Sequence, residues 1–178
     1  MNGPGGPAPV NPGELRPYVA RRASWGMTPS GFRRITVPVD GSPYADQALE
    51  TAVDLALRYG AELRLLVVQP TIPAAFGAAG YVPPDLWDGQ ADYYRGVLTR
   101  SLERARGLGV TAVGGELLEG NVAEAILDDV DRHPADLVVV GPRGLGTGRR
   151  LILGSVTDAL VHHLRVPVLV ARAASPSP

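Results

Sequence analysis

Five short apolar runs, separated by stretches of helical periodicity, restrict the fold of this chain more than any other feature. The runs are RRITVPV (33–39), ELRLLVVQ (62–69), VTAVGGELL (110–118), ADLVVVG (135–141) and VPVLVAR (166–172). After the first run, Ser42 is a good N-cap and Pro43 suits the first helical position. Ala45, Ala48, Leu49, Ala52, Val53 and Ala56 then recur at three-and-four spacing, and the stripe stops at Gly60. A Pro/Gly-rich loop, 70–84, leads to a long helix from about Asp85 to Gly107. Asn121 caps the helix VAEAILDDVDRH, and SVTDALVHHL is the last helix. Strands alternating with helices at this pace predict right-handed βαβ units and a parallel sheet covered on both faces. The near-continuous apolar runs two, four and five predict strands buried on both sides.

The expected fold is α/β: a single doubly wound domain, residues 32–173, with five parallel strands in the order 3-2-1-4-5 and helices on both faces. Residues 1–31 are rich in Gly, Pro and Ala without sustained period, and ASPSP (174–178) is similar. Such segments cannot bury enough surface to offset their ordering entropy, so both ends read as disordered.

Composition narrows the chemistry. At 178 residues, 45% hydrophobic and 20% charged, the chain is long enough for one domain with a sizeable core. A net charge of −1 gives no electrostatic reason to expect nucleic acid or an acidic membrane as partner. The absence of cysteine excludes disulfides, thiolate metal sites and thiol catalysis. All 17 basic residues are arginine, which removes the lysine of a Walker-type phosphate loop and any Schiff-base chemistry. No apolar run is long enough to span a membrane, and the N-terminus lacks the apolar core of a signal peptide. A cytoplasmic protein is expected.

In an open α/β sheet, ligands bind beyond the carboxyl ends of the strands where strand order reverses. Here that crevice lies between strands one and four, which exit through PVDGS and GPRGLGTG. Asp40, at the tip of strand one, can accept hydrogen bonds from ribose hydroxyls; the DGS sequence also reads as turn chemistry that caps the first helix. Gly141 and Gly144 expose backbone amides with no Cβ to hold an anion away. Gly154 and Ser155 open the last helix, whose amides and dipole favour a phosphate. Arg143, Arg149 or Arg150 add charge. Gly120, Gly146 and Gly148 read as turns. His162 and His163 lie about 12 Å along their helix from its phosphate-facing end, too far to act as a base there. His133 is expected at the surface, and Asp128, Asp129 and Asp131 on the solvated face of their helix.

The spacing Gly141-x2-Gly144-x9-Gly154-Ser155, between an apolar strand and a helix, resembles the nucleotide-binding signature of universal stress proteins. VPVDGSPYADQALETA, EGNVAEAIL and GSVTDALVHHLRVPVLV resemble three further stretches of that family in the same order, so the likeness spans about residues 33–172. The resemblance implies a Rossmann-like, adenine nucleotide alpha hydrolase-like fold. It implies that Pro38, Val39 and Asp40 flank adenine and ribose, and that the Val68 backbone reads the adenine. By the same resemblance Val140, Gly141, Arg143, Gly144, Gly154, Ser155 and Val156 surround ribose and phosphates.

ATP is therefore the expected ligand, because members that keep this glycine spacing bind it. Mg2+ would be held mainly through the phosphates, with the Ser155 hydroxyl beside them. The expected function is a nucleotide-dependent stress-response or regulatory module. The alternatives are a slow ATP hydrolase on the same fold and a protein that binds cyclic AMP or AMP. No residue stands out as a base, so no catalytic residue is assigned and at most slow hydrolysis is expected. The apolar strand at 166–171 ends an open sheet, and the family resemblance points to a homodimer through it.

Overall fold

The computed structural model describes residues 31–71, 84–145 and 153–172. The expectations for the N-terminal tail, for most of the loop 70–84, for Gly146, Gly148, Arg149 and Arg150 and for the C-terminal residues fall outside them.

Five strands form one parallel sheet in the order β3-β2-β1-β4-β5. In chain order the elements are β1 (Arg34–Pro38), α1 (Pro43–Tyr59), β2 (Glu62–Pro70), α2 (Pro84–Gly107), β3 (Val113–Gly120), α3 (Val122–Arg132), β4 (Leu137–Val140), α4 (Ser155–His163) and β5 (Val168–Val170). This is the doubly wound arrangement expected from the sequence.

Local signals place the helix ends. The Ser42 side chain accepts the Ala45 amide at 3.2 Å, Pro43 starts α1, and Gly60 ends it in the left-handed conformation at φ 65°. The Asn121 side chain accepts the amides of Ala123 and Glu124 at the start of α3. At the opposite end of the sheet from the strand exits, the Asp136 carboxylate accepts the amides of Arg33 and Arg34, both at 2.9 Å, and so ties β4 to β1.

Strand periodicity divides the core into two layers. Ile35, Val37, Leu63, Leu65, Val67, Leu137 and Val139 pack with α1 and α2 on one face. Leu66, Val68, Val138 and Val140 pack with Ile126 and Val130 of α3 and Leu160 of α4 on the other.

Three expectations need correction. β3 begins at Val113 rather than Val110, because residues 108–112 are spent turning out of α2: the Leu108, Gly109 and Val110 amides all bond back to helix carbonyls. β5 is not buried on both sides: Leu169 is 37% exposed and its neighbours are half-buried. It pairs only with β4 among the described residues, so it stands at the sheet edge. Asp129 does not belong to a solvated face. Its side chain is only 1% exposed and receives Arg64 of β2 through two hydrogen bonds, Nε to Oδ2 at 3.1 Å and Nη2 to Oδ1 at 2.8 Å. The half-exposed His133 ring lies 3.0 Å from the same carboxylate, and Glu116 of β3 pairs with the Arg64 guanidinium. Burial works against the Asp129 charge, but the hydrogen bonds and charge of Arg64, together with the His133 contact, outweigh it, so the carboxyl is held below its ordinary range.

Candidate functional site

The sheet reverses strand order between β1 and β4, and their carboxyl ends open into a cavity of about 370 Å3. This volume lies within the range of small-molecule pockets. Pro38, Val39, Asp40, Val68, Val140, Gly141, Arg143, Gly144, Gly154, Ser155 and Val156 all line it. These eleven residues named from the sequence thus sit around one space, while Arg149 and Arg150 lie outside the described residues.

The polar side of the cavity is built where the two strand exits meet. Asp40 follows β1 and accepts the Ser42 amide through Oδ1 at 2.9 Å. Its Oδ2 accepts the Leu145 amide, from the loop after β4, at 3.0 Å. The carboxylate therefore serves the turn into α1, as one reading of DGS held, and also bridges the two strand exits. The Gly154 amide donates to Pro142 O at 2.8 Å, which folds the start of α4 back against that loop. Thr157 Oγ1, buried in the first turn of α4, donates to Gly141 O at 2.8 Å. Gly154 itself is the N-cap of α4 and has no side chain to satisfy the first-turn amides. Those amides and the positive end of the helix dipole stand beside Ser155 on the cavity wall.

Two glycines have reasons beyond an anion. A Cβ on Gly141 would lie 2.8 Å from the Tyr44 carbonyl oxygen and 2.9 Å from its carbon, so the glycine lets the end of β4 meet the backbone of α1. A Cβ on Gly144 would overlap Asp40 Oδ2.

The opposite side of the cavity is apolar. Leu66, Val68 and Val140 from the sheet meet Val122 and Ile126 of α3 and Leu160 of α4. Tyr94 of α2 completes the wall, and sequence reasoning did not find it. A helix that crosses between parallel strands runs against them, so its early turns stand near the strand exits. Tyr94 lies one turn before Val97 on the sheet-facing side of α2, a position visible only once the strand order is known. Burial, with Tyr93 and Asp40 nearby, pushes its hydroxyl pKa up, so the group remains a neutral donor at physiological pH.

His162 and His163 are exposed near the far end of α4 and do not line the cavity. Among the described residues, no group of histidines and carboxylates is arranged to hold a metal ion, and no helix is long and apolar enough to cross a membrane.

A model of the universal stress protein family matches residues 31–172. A universal stress protein of Thermus aquaticus is 37% identical over 149 residues, which cover 79% of this chain and 99% of that protein. The solved structure of the universal stress protein UspA from Lactobacillus plantarum matches with a TM-score of 0.69 at 28% identity, over 80% of this chain and 99% of its own. A universal stress protein solved in complex with cAMP matches with a TM-score of 0.58 at 24% identity, over 80% and 98% of the two chains. One from Archaeoglobus fulgidus, solved in complex with dAMP, gives 0.60 at 20%, over 79% and 98%. At these last identities the likeness carries the fold alone.

Proposed function

This chain belongs to the universal stress protein family, and from that premise we propose that it binds an adenine nucleotide, with ATP the preferred ligand, in the crevice between β1 and β4. The observation that carries the reading is the meeting of Asp40, the Gly141–Gly144 loop and the N-terminus of α4 around one cavity. An acidic acceptor for ribose hydroxyls and a helix N-terminus for phosphate stand side by side there, next to an apolar wall suited to a base. Pro38, Val39 and Val68 then bound the adenine and ribose. Val140, Gly141, Arg143, Gly144, Gly154, Ser155 and Val156 enclose ribose and phosphates, and Mg2+ is held through the phosphates.

The relatives of this fold bound to cAMP and dAMP support the adenine-nucleotide class and favour a monophosphate as the second reading. A binding module suits the lining better than an enzyme. Among the described lining residues, Asp40 is the only carboxylate, and both its oxygens already accept backbone amides. In the cytoplasm such a module would sense or report nucleotide state.

Mass spectrometry of the small molecules released on denaturing purified protein identifies the ligand: ATP is expected, and AMP or cyclic AMP would select the second reading. In calorimetric titration, Asp40→Ala weakens ATP binding by about 1.5–3 kcal/mol, the usual loss for a hydrogen bond to a charged group. Unchanged affinity would remove Asp40 from the ribose role.

A homodimer through β5 is part of the same proposal. Among the described residues no strand pairs with its outer edge, and Leu169 is exposed, so an antiparallel pairing with a second copy would cover both in a closed two-fold contact. Light scattering is expected to give twice the chain mass at tens of micromolar, reduced by Val168→Pro. A monomeric wild type rejects the edge pairing.

A further inference from the structure

We propose that Gly144, the second glycine of the loop after β4, is a positioning residue for the Asp40 carboxylate and so serves ribose recognition rather than phosphate contact. The inference rests on the adenine-nucleotide reading of this cavity and assigns one of its residues a different task.

Conformation does not explain this glycine. Gly144 is absent from the glycines with positive φ, so its backbone lies where other residues are tolerated. The requirement is steric and, among the described residues, falls on a single neighbour. The heavy atoms that a Cβ at 144 would approach both belong to Asp40: it would overlap Oδ2 and lie 3.4 Å from Cγ. Neither is backbone, so a small side chain can be accommodated if the carboxylate turns away. A substitution here is therefore a lever on one functional group.

What turns with that group follows from its hydrogen bonds. A carboxylate offers about four acceptor positions over its two oxygens. The Ser42 amide takes one on Oδ1 and the Leu145 amide takes one on Oδ2. Among the described residues that leaves two positions for hydroxyl donors, and Asp40 lines the cavity into which a ribose would bring them. The Leu145 bond is made by the residue next to Gly144, so the loop both holds the carboxylate and leaves the room it occupies. A side chain at 144 removes both at once: Oδ2 loses its amide, and the remaining acceptor positions no longer face the cavity in their paired geometry. A glycine that merely admitted phosphate to the loop amides would leave the ribose contact untouched.

Calorimetric titrations of Gly144→Ala with ATP, adenosine and 2′,3′-dideoxy-ATP separate the two roles. The wild type is expected to bind ATP more tightly than its dideoxy analogue. Gly144→Ala is expected to weaken ATP and adenosine by the same factor, about tenfold, as for loss of a hydrogen bond to a charged acceptor, and to leave dideoxy-ATP unchanged. The preference for a ribose with hydroxyls then disappears. In an Asp40→Ala background, Gly144→Ala should cause no further loss, because the group on which it acts is gone. Weakening of ATP with adenosine unchanged overturns the proposal in favour of the phosphate role, as does an undiminished loss in the Asp40→Ala background. If the wild type binds none of the three ligands, the adenine-nucleotide reading itself fails. Thermal unfolding tests the contact without any ligand: Gly144→Ala should lower the midpoint more in the wild type than in the Asp40→Ala background. Equal drops in the two backgrounds overturn the proposed link.

Discussion

Replacing Arg64 with methionine destabilises the fold by about 3 kcal/mol, the lower end of the cost of stripping one partner from a buried ion pair. The remaining Asp129 carboxylate is 1% exposed and would keep only the half-exposed His133 beside it. That neighbour places the effect at the low end. Asp129→Leu in the same chain should recover most of the loss, since an apolar pair of similar volume removes the stranded charge. Chemical denaturation of the single and double variants measures both. The change also alters a pH dependence. In the wild type the Asp129 carboxyl lies below its ordinary range, so its contribution is present above the unfolded-state pKa and is lost as pH falls through the folded value. Without Arg64, burial is the largest influence left on that carboxyl and moves its pKa up from the wild-type position. The variant then gains stability, relative to wild type, as pH falls from neutral toward the carboxylate range. Denaturation midpoints for the two proteins that stay parallel from pH 7 to pH 4 would contradict this account.

The same aspartate shows where sequence reading stopped. Ile126, Asp129 and Val130 have the spacing of a single helical stripe, so the period itself assigned Asp129 to the buried face. Charge and the adjacent Asp128 and Asp131 favoured the opposite reading, and the partner that makes burial tolerable stands on β2, remote in sequence. Features set by neighbours along the chain were legible: the Ser42 and Asn121 caps, the stop at Gly60, and the order of strands and helices. The meeting of Asp40 with the loop after β4 was legible too, because the strand order makes those two exits converge, whereas Pro38, Val39, Val68, Val140 and Val156 came from the family resemblance. What was not legible depends on contacts between elements. The late start of β3 comes from the turn out of α2, the exposure of β5 from its place at the edge, and the position of Tyr94 from the path of α2 over the sheet.

Gly141→Val is expected to destabilise the protein by about 3 kcal/mol or more, the upper end of overpacking costs. The reason lies in what the new side chain would meet. Its Cβ would stand 2.8 Å from the Tyr44 carbonyl oxygen and 3.0 Å from the Tyr44 Cβ. A flexible side chain could swing away, but here the obstacle is the first turn of α1, anchored by the Ser42 cap and by the buried Ala45, Ala48 and Leu49 behind it. Relief would require α1 and the end of β4 to separate. That movement would also pull the Gly141 carbonyl from the Thr157 hydroxyl, which joins β4 to the first turn of α4 at 2.8 Å. One substitution thus strains the junction of three elements that wall the cavity. Thermal and denaturant unfolding give the size of the effect. Gly154→Val is the informative comparison, because a Cβ there meets the Arg143 Cα at 3.3 Å, a contact that a shift of a few tenths of an ångström relieves. The order of losses should be Gly141→Val well above Gly154→Val. If the two variants unfold at the same midpoint, close packing of β4 against α1 is not what Gly141 provides, and an anion-facing role for that glycine becomes the better account.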